Sequence, residues 1–176
     1  MSLANSETAK PRAGRPSEQV ILFSVGTHSF AIAAEAVQEI RSTDSLSGTA
    51  TEIENSNIEK VQHTLKHARH SFYVVNARVH FGLPASRPTL VMILRGIRVA
   101  VLVDRIERMA EVSFMHQLPH AFIGRERKWY RALAYMGDRV IPVVHAAGFL
   151  DEDEIQYLDS LVAARTPAEL EGAVRE

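Results

Sequence analysis

The sequence predicts an all-β domain with a few short helices and a closing C-terminal helix, and three observations lead there. Short apolar runs rich in Val, Ile and Phe recur between clusters of Gly, Asn, Asp and Ser; where clearest they alternate with period two; and an extended helical stripe occurs near the C-terminus. Strands at such short intervals, with only brief helices, indicate barrels or a sandwich rather than a parallel α/β sheet. A chain of 176 residues, 46% of them hydrophobic, is long enough for one domain or for two small barrels sharing an interface.

Residues 1–17 hold Pro11, Gly14 and Pro16 among small and charged residues, which gives them little to bury, and they read as a dispensable tail. Residues 19–25 and 29–33 are apolar runs joined at Gly26, Thr27 and His28, a first hairpin. Residues 34–40 suit a brief helical turn or a strand, and 41–57, rich in Ser, Thr, Asp and Asn, suit a loop. In 58–70, Ile58, Val61 and Leu65 fit helical spacing, while Val61 and Leu65 also share a strand face, so both readings stand.

Residues 72–75 read as a buried strand and 76–81 as a short helical turn ended by Gly82 and Pro84. The clearest hairpin joins 89–95 to 97–103 at Gly96, with Ile97, Val99, Val101 and Val103 on one face and Leu102 making the other partly apolar. Residues 130–136 and 139–144 flank a Gly137-Asp138 turn, and Pro142, which has no N–H to donate, suggests an edge strand. Ile155, Leu158, Leu161 and Val162 form the stripe of a closing amphipathic helix, with Asp151 to Glu154 at its positive end. The expected division is a tail over 1–17, a β domain over 18–150, a helix over 151–165 and a tail over 166–176. Val20, Leu22, Phe23, Val75, Val91, Ile93, Val101 and Val103 are the expected core.

Charge and composition narrow the chemistry. There is no cysteine, which removes disulfides, thiolate zinc sites and cysteine nucleophiles, and the formal net charge of −1 sets up no overall field toward nucleic acid or anionic lipid. No apolar run reaches membrane-spanning length, so a soluble, cytoplasmic protein with no direct membrane insertion is expected.

His63, His67 and His70 would share one face of a helix, as a zinc site could use. The glutamate of an H-E-x-x-H protease is missing, and on a strand His70 points away, so ordinary surface histidines are the simpler reading. Residues 124–131 gather Arg125, Arg127, Lys128 and Arg131 around Trp129 and Tyr130, a pattern that can track nucleic acid. Glu126 interrupts it, and a solvated loop with Trp129 folded onto the core fits better. Asp151 to Glu154 lacks the ligand spacing of a calcium loop. With no phosphate-cradling loop and no G-x-S-x-G elbow, the sequence shows no catalytic apparatus, and function falls to the surface.

Across residues 19–150 the order of elements and several strings resemble the CheW-like adaptor family. Val37-Gln38-Glu39-Ile40 looks like the family's V-x-E-I string. Residues 99–106, VAVLVDRI, are similar to its V-G-L-L-V-D-x-V, with Leu118-Pro119 at the usual distance beyond, and 132–150 resemble the closing strand pair. Residues 64–76 match the register of a G-x-x-N-L-R-G-x-I-P-V-I-D string with Arg69 at the arginine, while Thr64, His67, His70, Tyr73 and Asn76 replace Gly, Asn, Gly, Pro and Asp.

The resemblance implies two SH3-like five-stranded β-barrels around a shared core, followed by the C-terminal helix. It implies a non-enzymatic scaffold without cofactor or metal that couples the cytoplasmic tip of a chemoreceptor to the CheW-like regulatory domain of a CheA-like histidine kinase. Val37, Glu39, Arg69, Val103 and Asp104 are the protein-binding positions it carries over. Val37 and Val103 would line apolar contact surface, Glu39 and Arg69 would supply charged specificity, and Asp104 would fix a turn. The alternatives are a module of the same fold with a changed partner and, more remotely, a histidine-based metal protein.

Overall fold

A computed structural model describes the backbone of residues 17–172 and side chains as far as Arg165. The tail expected over 1–17 therefore lies outside the described residues except for Ser17, whose hydroxyl donates to Glu111. Twelve strands form two six-stranded sheets. The first contains β1 (Glu18–Val25), β2 (His28–Ala33), β9 (Arg105–Val112), β10 (Met115–His116), β11 (Tyr130–Met136) and β12 (Arg139–Val144), in the order β10-β11-β12-β2-β1-β9. The second contains β3 (Val37–Ser42), β4 (Ala50–Glu52), β5 (Val61–His67), β6 (His70–Asn76), β7 (Leu90–Leu94) and β8 (Val99–Val103), in the order β3-β7-β8-β6-β5-β4. Three α-helices occur among the described residues, besides short 3-10 turns: α1 (Ala77–His80), α2 (Glu126–Trp129) and α3 (Glu152–Gly172).

The near-continuous apolar runs have a direct explanation, because the central strands are covered on both faces. In β1, Val20 and Leu22 enter the interior of the first barrel while Ile21, Phe23 and Val25 enter a core shared by both sheets. The second sheet repeats the arrangement. Val91 and Ile93 of β7, Phe72 and Val74 of β6 and Ala100 of β8 fill the second interior, while Met92, Leu94, Tyr73, Val75, Val99, Val101 and Val103 point into the shared core. Period two thus sorts each strand between two cores rather than between core and solvent. Val20, Leu22, Phe23, Val75, Val91, Ile93, Val101 and Val103 are all at 0% exposure.

Several expectations change. The open segment 58–70 contains β5, and the strand face expected to hold both Val61 and Leu65 is split: a register shift after Val61 leaves Val61 in the shared core and turns Leu65 into the second interior, which is why the period was ambiguous. The expected loop over 41–57 includes the end of β3 and the short β4, which pairs with β5; β4 and the two-residue β10 raise each sheet from five strands to six. Pro142 is not on an edge: β12 lies between β11 and β2, joined to β2 by a single parallel bridge, Val143 to Ala31, beside the proline. Helix α3 runs on to Gly172, past the boundary expected at 165.

The N-terminus of α3 is closed by a reciprocal capping pair, in which the Glu154 amide donates to Asp151 Oδ1 at 2.9 Å and the Asp151 amide donates to Glu154 Oε2 at 3.0 Å. The helix is pinned to the second sheet by Tyr73, whose hydroxyl donates to Asp159, and by Arg98, which holds the same carboxylate with two bonds of 3.0 and 2.7 Å. Burial and then Asp159 push the Tyr73 phenol well above its usual pKa, and the bond from Arg98 holds Asp159 below the ordinary carboxylate range.

Candidate functional site

The residues carried over by resemblance separate into two places. Glu39 lies on β3, at one edge of the second sheet, just after a register shift that re-aims it relative to Val37. The sheet curls until β3 faces β5, and side chains close the seam. His67 Nε2 lies 3.0 Å from Glu39 Oε2, Arg41 Nε lies 3.7 Å from Glu39 Oε1, and Arg41 Nη1 lies 3.4 Å from His67 Nδ1. An imidazole that donates from Nε2 to the carboxylate and accepts at Nδ1 from the guanidinium satisfies all three groups. Glu39 keeps 41% of its side chain exposed.

Arg69 stands at the tip of the adjoining β5–β6 hairpin, where Ala68 takes a positive φ of 53° to make the turn. It is exposed and makes no hydrogen bond or ion pair among the described residues. Glu39 and Arg69 therefore belong to one end of the second barrel without bonding each other, since His67 holds the glutamate instead.

Val103 and Asp104 behave differently. Val103 is at 0% exposure and Val37 at 7%, both turned into the shared core, so neither offers the apolar contact surface expected of it. The reason is positional: β8 lies between β7 and β6, and its odd-numbered residues face the other barrel. Asp104 binds at the β8–β9 corner. Its Oδ2 accepts from the Gly26 amide at 2.6 Å, its Oδ1 from the Ser86 hydroxyl at 3.0 Å, and its carbonyl from Thr89 at 2.6 Å, while its own amide donates to Ser24 at 3.0 Å. Gly26, at φ +59°, gives the hairpin turn its bend toward that carboxylate.

The other motifs also find places. His63 and His70 are exposed on β5 and β6, His67 is committed to Glu39, and no three metal-ligating side chains come together among the described residues. In the basic segment, α2 presents Arg127 and Lys128 to solvent, Arg131 pairs with Glu18, and Trp129 folds inward onto His80, with ring centres 4.6 Å apart. Sequence reasoning missed His80, which is 5% exposed between Trp129, Phe149 and Phe81. Burial drives its pKa down to about 3, with Lys60 adding to the effect, so it is neutral at ordinary pH. Its place in a short turn between two apolar residues, Val79 and Phe81, was the available signal.

Comparisons with known proteins agree on the architecture. A family profile described as CheW-like domain matches residues 19–154. Among solved structures, the chain is similar to the scaffolding protein TtCheW from Thermoanaerobacter tengcongensis, with a TM-score of 0.64 at 13% identity, over 74% of this chain and 90% of that one. A search of curated proteins finds no match.

Proposed function

The chain belongs to the CheW-like domain family, and from that premise we propose that it is a non-enzymatic adaptor that joins the cytoplasmic tip of a chemoreceptor to the CheW-like regulatory domain of a CheA-like histidine kinase. The exposed end of the second barrel supports this reading. It carries Glu39 and Arg69, two of the three charged members of the carried-over set, and Arg69 has no internal partner among the described residues. A solvated charge on a rigid hairpin loses little on meeting an opposite charge and gives specificity more than raw affinity. Val37 and Val103 support the surface from within, and Asp104 keeps the inter-barrel corner in shape.

The test is assembly. The full chain, mixed with a kinase regulatory domain and a receptor tip from its own cell, should elute with both in size-exclusion chromatography. A chain that retains neither removes the adaptor reading and leaves a module of this fold with another partner. The seam bond from His67 to Glu39, made where the family string has Asn, is the observation that favours that second reading.

A further inference from the structure

Strand β3 is an edge of the second sheet, and its seam with β5 is closed by Glu39, Arg41 and His67. The donors and acceptors of the outer two fix the protonation of the middle one. Arg41 has only N–H groups to offer, and an ionised Glu39 has only lone pairs. His67 lies 3.4 Å from Arg41 Nη1 through Nδ1 and 3.0 Å from Glu39 Oε2 through Nε2. It satisfies both only as the neutral ring that carries its proton on Nε2.

A second proton ends that arrangement. It would sit on Nδ1, facing the guanidinium, and would leave two positive groups 3.4 Å apart with no lone pair between them. Glu39 is at the same time held more firmly, because a hydrogen bond between charged groups is roughly twice as strong as a neutral one. Arg41 Nε stands 3.7 Å from the other carboxylate oxygen, beyond hydrogen-bond length, so Arg41 is the member free to leave. Histidine is the side chain whose charge ordinarily changes between about pH 5 and 8.

The seam is open to both protons and a partner, since the side chains of His67 and Glu39 keep 20% and 41% of their surface exposed. Around the His67 ring, β3 contributes Glu39 and Arg41, and β6 contributes the edge-on Phe72 ring, 6.3 Å away between centres, and His70, the ladder partner of His67. Lys66 and Arg69 lie close by in the chain.

We propose, resting on the adaptor reading above, that His67 is a positioning residue that makes docking depend on pH. As the neutral ring it leaves the Glu39 carboxylate able to meet a cationic group of the partner. On protonation it takes that carboxylate as its own counter-ion and releases Arg41 into the docking surface, so binding weakens in acid. Asparagine, which the family string has at this position, can donate through its amide and accept through its carbonyl but has no proton to gain.

The test has two arms. In the first, NMR follows the His67 ring and the Arg41 guanidinium of the full chain alone from about pH 8 to about pH 5.5. The Arg41 signals should move with the midpoint of His67, and in His67→Asn that movement should vanish. In the second, calorimetry measures the kinase regulatory domain at both ends of the range. The wild type should lose about tenfold more affinity on acidification than His67→Asn, for which the partner titrates identically, and His70→Asn should keep the wild-type loss. Circular dichroism checks that each variant is folded. Arg41 signals that stay still while His67 titrates overturn the proposal, and so does an equal loss of affinity in wild type and His67→Asn. A wild type that binds at neither pH removes the adaptor reading instead, and the NMR arm then decides whether His67 switches the seam.

Discussion

The end of the β5–β6 hairpin and the β8–β9 corner both carry residues that match the family's strings, yet physically they are opposites. At the hairpin, Arg69 is exposed and unpaired among the described residues, and Glu39 is held by side chains that leave two-fifths of it in solvent. At the corner, Val103 has no exposure, and Asp104 accepts from three groups drawn from both barrels. A family string thus mixes residues that hold the architecture with residues free to meet a partner, and only the three-dimensional setting separates them. The distinction predicts an asymmetry: changes at the corner should cost folding, and changes at the hairpin should cost binding.

The largest effect should come from Val103→Asp, which places a charge in the shared core. The expected loss is at least about 4 kcal/mol and in practice an unfolded domain, seen as loss of the cooperative thermal transition by circular dichroism. A variant that melts like the wild type would erase the corner's side of the contrast.

Acid probes the same buried region without a mutation. His80 has a folded pKa of about 3 against about 6.5 unfolded, so the unfolded state binds the extra proton between those values. Stability from this group is complete above about pH 6.5 and falls as pH drops toward 3, at up to about 1.4 kcal/mol per pH unit. Urea titrations from pH 7 to 4 should show that decline, and His80→Phe should flatten it. An equal slope in the variant would assign the acid sensitivity to other groups.

Asp104→Ala should cost roughly 2 kcal/mol, because the amide of Gly26 and the hydroxyl of Ser86 lose a charged acceptor while water can reach part of the site. A shift in the urea midpoint at constant slope would measure it. The smallest effect on folding belongs to Arg69→Glu and Glu39→Lys, each expected to change stability by less than about 1 kcal/mol. If either destabilised the domain as much as Asp104→Ala, the hairpin end would be structural too.

The fold was legible where physics is local. Strands β1, β2, β7 and β8 are apolar runs between turn residues, and Gly26, Gly96 and Gly137 all adopt the positive φ that their turns require. Strand β5 was not legible because a register shift interrupts its period, and Pro142 misled because one parallel bridge suffices to make β12 an interior strand. The site was harder. Glu39 and His67 are brought together by the curl of a sheet, for which neither segment carries a local sign. The run of β8, apolar on both faces, could have warned that Val103 is core, since a strand between two cores has no face left for a partner.

Whether Glu39 and Arg69 form docking surface rather than internal support is decided by calorimetric binding of the kinase regulatory domain to wild type, Arg69→Glu and Glu39→Lys, each shown folded by circular dichroism. The expected result is binding by the wild type and at least about tenfold weaker binding, a loss of about 1.4 kcal/mol, by each variant. Equal affinity in all three would contradict it.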